Sequence, residues 1–325
     1  MTLQKETKER LTNLPKVLVF GPGLFGSCFV DLYEDNFQIR AEGLLETGLD
    51  LTDQKALERL IRAESPDVVI NFAARTDVDG IEKERGDKKG SAWEINALVP
   101  GRIARLCVKK DIFFIHISTD FVFPGTAENK GPYSEKAPLP TLPDDLSWYG
   151  WTKLKGEEAV RKANSNSAIV RIAYPYRVSP FTKKDFVHNL IERYDQGKLY
   201  PLFGNQFYNP TSIERASAGI AILADLKKPG TYHLASLDLT TPHEFGCYLL
   251  LKTRGLENPE KIIQVSSIVD FQEQNPHLAR RPQYGGLLTG RTQRTLGLEL
   301  GTWREDVDFF AEQFKVFEVN QAGVV

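Results

Sequence analysis

The sequence predicts an α/β fold, a doubly wound parallel sheet with a smaller α/β lobe towards the C-terminus. Three observations predict it. Almost wholly apolar runs recur at 16–20, 66–74, 112–117 and 167–173, the form that strands buried on both faces take. Segments with helical patterning lie between them. The first run passes directly into Gly21-Pro22-Gly23-Leu24-Phe25-Gly26, and then into a helical pattern to about Tyr33.

The totals fit such a fold. At 325 residues the chain has room for one large or two intimate domains and a substantial core. It is 41% hydrophobic and 26% charged, which excludes a disordered or membrane class. A net charge of −2, with both signs interspersed, argues against nucleic acid as a partner. Cys28, Cys107 and Cys247 make no metal-ligand spacing and no even set, so each is expected as a buried free thiol in a reducing compartment. No apolar run reaches the roughly 20 residues that span a bilayer. The segment 1–14 is too polar and acidic for a signal or transit peptide. The expectation is a cytoplasmic protein with a leader at 1–15.

Taken in order, the elements are these. A strand at 16–20 enters G-x-G-x-x-G and a helix. Glycines there allow a tight turn, close backbone approach to a pyrophosphate and close helix–strand packing, and the helix start offers N–H groups to phosphates. A second strand is expected at 37–41. Sites that prefer NAD often carry an acid at that strand's end; Arg40 stands near the place instead, and an Arg can pair with a 2′-phosphate. NADP(H) is therefore favoured over NAD(H). Asp50-Leu51-Thr52-Asp53 reads as a loop ending in a helix cap, with the helix running to about Ala63. The strand at 66–74 ends in Ala73 and Ala74, small enough for backbone to lie against a flat ring. A loop with Thr76, Asp77 and Asp79 follows, and 83–90 reads as a charged, solvated loop. A helix at 91–110 contains Asn96. The strand at 112–117 runs into Ser118-Thr119-Asp120.

Successive βα units imply right-handed crossovers, helices on both faces and ligands at the carboxyl ends of the strands. The connection at 121–146 is long and rich in Pro and Gly, which usually marks a functional loop. A helix then opens with Tyr149-Gly150-Trp151-Thr152-Lys153, and a strand follows at 167–173. Beyond Tyr174 come a helix near 185–194, a short strand near Tyr200, a loop at 204–211 and a helix at 212–226. A strand at 230–235 returns to the main sheet, and a last helix is expected at 303–314. The dinucleotide domain is expected at 16–175, with 211–235 returning to it. The substrate lobe takes 176–210 and 236–325.

The centre of the chemistry is expected at Thr119, Tyr149 and Lys153. Side chains four apart share a helix face. A free phenol titrates near pH 10, and a neighbouring ammonium favours the phenolate and moves it towards the working range. Lys153 can do this and also hold a cofactor ribose. Thr119 can bond a substrate oxygen, and Tyr149 can supply a proton. The spacing alone is weak: composition makes a chance pair expected, and a second exists at Tyr194 and Lys198, across a helix-ending Asp-Gln-Gly.

With Ser118-Thr119-Asp120-Phe121-Val122-Phe123-Pro124-Gly125, Pro132-Tyr133-Ser134-Glu135 and Tyr149-Gly150-x-x-Lys153-x-x-Gly156-Glu157 on view, the chain resembles the extended short-chain dehydrogenase/reductases. Within them it resembles the dTDP-4-dehydrorhamnose reductase branch, from about residue 16 to 310. The resemblance implies a Rossmann fold and Thr119, Tyr149 and Lys153 as the catalytic set. It implies cofactor contacts from Gly21, Gly23, Leu24, Phe25, Gly26, Asp50, Leu51, Ala73, Ala74 and Lys153, beside Arg40. It implies a nucleoside-diphosphate sugar held by Thr76, Val78, Asp120, Phe121, Tyr174, Gln206 and Arg281, with Arg281 a candidate for the diphosphate. No metal ligand is implied, and a homodimer is the default for such folds.

The chain departs from the branch in a glycine loop one residue shorter and a longer loop before Tyr149. Tyr174 stands where Trp is usual, Tyr208 where Gly is usual, and Leu288 where a polar residue is usual. The expected reaction is NADPH-dependent reduction of a nucleoside-diphosphate 4-keto-6-deoxy sugar. The alternatives are an epimerase or dehydratase of the same family, and a non-catalytic regulatory subunit like that of methionine adenosyltransferase.

Overall fold

The computed structural model describes residues 14–322, so most of the expected leader lies outside the described residues. Strand β1 (Lys16–Phe20) is buried from Val17 onward. Helix α1 (Leu24–Tyr33), strand β2 (Gln38–Glu42), helix α2 (Gln54–Glu64) and strand β3 (Val68–Asn71) follow. Then come helix α3 (Val99–Val108), strand β4 (Phe113–Thr119), helix α4 (Trp148–Ala163), strand β5 (Ser167–Ile172) and strand β6 (Gly230–His233).

The sheet runs β2-β1-β3-β4-β5-β6, with β1 parallel to both β2 and β3, and β3 parallel to β4. The order reverses at β1, so the β1/β3 crevice is the switch point at which such sheets bind ligands. Leu18, Phe20, Val69 and Phe114 on one sheet face pack with Leu57 and Ile61 of α2, Val99 and Ile103 of α3, and Val160 of α4. Each fully buried side chain of this kind contributes about 1.5–3 kcal/mol of transfer free energy. Asp53 caps α2 as expected, its carboxylate accepting the Lys55 and Ala56 N–H groups at 2.9 and 3.0 Å.

Three local differences from expectation matter. Strand β2 ends at Glu42 rather than Ala41, because pairing with β1 continues through Phe20 opposite Glu42. Val78–Glu82 is a short helix capped by Asp77, not loop. The expected single helix at 91–110 is Ser91–Trp93, a π turn at Glu94–Leu98, and α3.

The chain divides into two units. One comprises Met1–Thr119, Trp148–Arg171 and Ser217–Tyr232; the other comprises Asp120–Ser147, Ile172–Ala216 and His233–Val325. The segment Asp120–Ser147, expected with the dinucleotide domain, goes with the second unit. Its backbone explains why: Gly131 N–H donates to Tyr284 O, Tyr133 N–H to Gly286 O and Leu288 N–H to Tyr133 O, at 2.7–2.9 Å.

The second unit has its own core, in which Tyr176, Leu190, Phe245, Leu249, Trp303 and Phe310 are buried. Its helices include Phe186–Asp195, Pro242–Arg254 and Trp303–Ala322, the last longer than expected. The strand expected near Tyr200 is Leu202–Phe203, parallel to Val265–Ser266. Cys28 and Cys107 are buried thiols, whereas Cys247 is only half-buried. Among the described residues no helix is long and apolar enough to cross a membrane.

Candidate active site

The glycine turn between β1 and α1 is built for close approach. Gly21 has φ +76°, a conformation side chains disfavour, and a Cβ there would lie 2.6 Å from the backbone N and Cα of Ala73. The exit turns of β1 and β3 are therefore packed directly on each other. A Cβ on Gly26 would lie 2.5 Å from Gly21 O, so the helix also sits tight on the turn. Gly23 is the opposite case, with no atom within 4 Å of where its Cβ would stand. Open space over a backbone that precedes a helix start, with no acid in the first turn of α1, suits a pyrophosphate. The cradle thus fits a dinucleotide.

The remaining cofactor candidates differ in what they can offer. Phe25 is buried and its ring lies 5.0 Å from that of Phe72. Leu51 is in the core, so only its backbone is available. Asp50 accepts the Thr52 N–H and hydroxyl at 2.8 and 2.7 Å, forming the turn before α2. Ala73 and Ala74 are half-buried, and Ala73 N–H is held by Asn71 Oδ1 at 3.2 Å. Arg40 does not end its strand. Its Nε donates to Glu42 Oε1 at 2.6 Å and its Nη1 pairs with Glu64 at 3.0 Å.

Strand β4 extends to Thr119, which is 6% exposed at the strand tip. Helix α4 carries Tyr149 and Lys153 in its first two turns, both buried. The Lys153 ammonium donates to Ile117 O at 2.7 Å, which ties the helix to the β4 backbone two residues before Thr119. Burial pushes Lys153 down to about 8, while the Glu157 carboxylate pulls the other way. Tyr194 and Lys198 form no comparable pair, since that helix ends at Asp195 and Gly197 turns the chain at φ +63°.

Behind Lys153 lies a buried charge cluster. Glu157 accepts Ser118 Oγ at 2.6 Å, Arg171 Nε and Nη2 at 2.9 and 2.7 Å, and Arg161 Nη2 at 2.7 Å. Burial disfavours the carboxylate, but the Arg171 charge and hydrogen bonds, then Arg161 and Ser118, hold it down at about 2. His116, also fully buried, is held well below the usual imidazole range by burial and then by Lys153. Its neutral Nδ1 accepts from Asn71 Nδ2 at 3.3 Å.

Two positioning residues were not among the expected site residues. Asn96, on the π turn, accepts Arg75 N–H at 2.9 Å and donates to Arg75 O at 3.0 Å and to Thr152 Oγ1 at 3.2 Å. It locks the loop after β3 to α4, and Thr152 in turn donates to Tyr149 O at 2.9 Å. Glu82 Oε2 accepts the backbone N–H of Trp148, the first residue of α4, at 2.8 Å. Glu84, in the expected solvated loop, pairs with Arg75 and accepts Ala92 N–H at 2.9 Å. Thr76 is exposed and Val78 half-buried at the start of the short helix.

The other substrate candidates lie in the second unit and come together there. The Tyr174 hydroxyl accepts from Gln206 Nε2 at 2.8 Å, and its ring lies 6.3 Å from Phe121 and 4.4 Å from Tyr208. Burial, then the Asp120 carboxylate, raises the Tyr174 phenol, with the Arg281 charge opposing. Tyr174 adopts φ +43°, a strained backbone of the kind that clusters at binding sites. Arg281 is fixed by its own N–H to Gln272 Oε1 at 3.0 Å and by Nη1 to Ala279 O at 3.1 Å.

Comparison with known proteins gives the family and the fold. The family model described as RmlD substrate binding domain matches residues 16–316. A probable low-salt glycan biosynthesis reductase, Agl14, of Haloferax volcanii is 31% identical over 80% of this chain and 81% of that protein. A dTDP-4-dehydrorhamnose reductase of Mycobacterium tuberculosis is 33% identical over 78% of this chain and 79% of its own. A crystal structure of a dTDP-4-dehydrorhamnose reductase from Clostridium acetobutylicum superposes with a TM-score of 0.78 at 25% identity. It covers 92% of this chain and 99% of that one. A Bacillus anthracis reductase of the same name, solved with NADP, has a TM-score of 0.78 at 24% identity.

Proposed function

Because the chain belongs to the RmlD substrate binding domain family, we propose that it reduces the 4-keto group of a nucleoside-diphosphate 6-deoxy sugar with a nicotinamide cofactor. The relatives named for dTDP-4-dehydrorhamnose reduction support the reaction class. The observation that carries the mechanism is the Lys153–Ile117 bond, which seats α4 on the strand that ends in Thr119.

Gly21, Gly23 and Gly26, with Ala73 and Ala74, would hold the cofactor, whose reduced ring supplies a hydride when bound. Thr119 bonds the substrate carbonyl oxygen. Tyr149 gives that oxygen its proton. Lys153, charged below about pH 8, stabilises the phenolate left behind. Asn96 and Glu82 fix the loop after β3 and the first turn of α4. Tyr174, Gln206 and Arg281 are proposed to bind the nucleoside-diphosphate portion, since an arginine suits bidentate phosphate contacts. Of the two charges on β2, Arg40 supports NADP(H) and Glu42 supports NAD(H). A cytoplasmic location and a homodimer belong to the same proposal.

Tyr149→Phe tests it. Steady-state oxidation of the reduced cofactor with dTDP-4-keto-6-deoxy sugar should fall at least 100-fold, while cofactor binding stays within twofold. Unchanged turnover would sink the assignment. Net consumption of reduced cofactor separates a reductase from an epimerase, which returns the hydride.

A further inference from the structure

We propose that Glu42 selects between the two nicotinamide cofactors, and that it selects the one without a 2′-phosphate. The proposal rests on the cofactor reading of the glycine turn. It assigns to Glu42 the discriminating role for which Arg40 is the sequence candidate.

Position comes first. Glu42 is the last residue of β2 and lies opposite Phe20, the last residue of β1. Its carbonyl accepts the Gly21 N–H at 3.0 Å, so its side chain leaves the backbone beside the phosphate turn. An acid about 20 residues past the first glycine, at the tip of the second strand, is placed for the hydroxyls of an adenosine ribose.

The carboxylate is also held ready. Glu42 is 4% exposed. It accepts from Arg40 Nε at 2.6 Å and from the Thr47 hydroxyl. Arg40 is spanned between Glu42 and Glu64 and is itself half-exposed, so its charge is already committed. Glu46 adds a third carboxylate: its Oε2 lies 2.2 Å from where a Gly43 Cβ would stand. Two carboxylates on one guanidinium, with the Glu46 carboxylate beside Gly43, leave the tip net negative. A ribose hydroxyl can donate to Glu42. A 2′-phosphate can only accept, and it would bring like charge against a buried anion.

The residues beyond the acid fit the same ligand. Leu44 is 65% exposed and Leu45 93% exposed, on the turn that follows Glu42. Paired apolar side chains left in water beside a ribose-binding acid offer a contact for the flat face of an adenine.

Binary binding tests the idea without a sugar substrate. The full chain is titrated with NADH and with NADPH, following quenching of protein fluorescence, for wild type, Glu42→Gln and Arg40→Ala. Wild type should bind NADH at least tenfold more tightly than NADPH. Glu42→Gln should narrow that ratio to under threefold, chiefly by tightening NADPH. Arg40→Ala should weaken NADPH no more than NADH. A wild-type preference for NADPH that Arg40→Ala removes would overturn the proposal, as would a ratio that Glu42→Gln leaves unmoved. Binding of neither cofactor to wild type would overturn the cofactor reading itself, a different outcome from binding both equally.

Discussion

Glu157→Leu strips one fully buried carboxylate from Arg171, Ser118 and Arg161 at once. Arg171 is 1% exposed, so its guanidinium would stay buried without the carboxylate that meets both its Nε and its Nη2. Breaking such a pair from one side costs about 3–5 kcal/mol. The orphaned Ser118 hydroxyl adds about 1 kcal/mol or more. Arg161 adds little, because its side chain is 38% exposed and can turn to water. The expected loss is thus about 4–6 kcal/mol. Urea unfolding read by tryptophan fluorescence is weighted to the right unit, since three of the four tryptophans, Trp93, Trp148 and Trp151, lie in it. At a slope of about 3 kcal/mol per molar the midpoint should fall by more than 1 M. Pairing Glu157→Leu with Arg171→Met replaces both charges by apolar groups and should recover most of the loss. The pH dependence has a definite sign. Glu157 titrates near 2 in the folded chain against an ordinary 4.5, so its contribution is present above about 4.5 and fades as pH falls towards 2. The gap between wild type and variant should close over that window. A single-variant loss below about 1 kcal/mol, or a double variant no better than the single, would refute the reasoning.

Two further outcomes follow from the same unit. The rate of reduction, as kcat/KM, should fall above pH 8 as Lys153 loses its charge, and Glu157→Gln should move that break to lower pH; a profile flat to pH 10 would contradict the role of Lys153. Glu82→Ala removes the acceptor of the Trp148 N–H and should lower kcat roughly tenfold with cofactor affinity unchanged, with Glu82→Gln restoring most of it; unaltered kcat would make Glu82 a surface acid.

What was legible in the sequence was local. The β1 run, the glycine turn and the four-residue step from Tyr149 to Lys153 are written in neighbouring residues, and strand and helix periods decode them. The end of β2 was not legible, because Gln38–Glu42 has no strong alternation and its last residue is fixed by pairing with Phe20. That single residue changed the reading of the strand tip from a base to an acid. Glu82 reaches a partner 66 positions away, which no spacing rule encodes. The allegiance of Asp120–Ser147 depends on backbone bonds to residues beyond 280. Tyr174 at φ +43° looks in sequence like any tyrosine after a strand.

The wide turn at Glu94–Leu98 changes what a length mutation would do there. Asn96 O would lie 2.2 Å from a Gly156 Cβ, and a Gly101 Cβ would lie 2.8 Å from Ala159 Cβ, so both positions face α4. Five residues of regular helix would leave them about 140° apart; the extra residue in the π turn takes up part of that angle. Deleting Ile95, on the side of Asn96 away from Gly101, would let the rod relax into regular α-helix with Gly101 still seated and the five-residue step restored. Asn96 would then swing off Arg75 and Thr152. A shortening of the chain at this point would therefore act as a substitution at a distance, releasing the loop after β3 while the rod itself stayed intact.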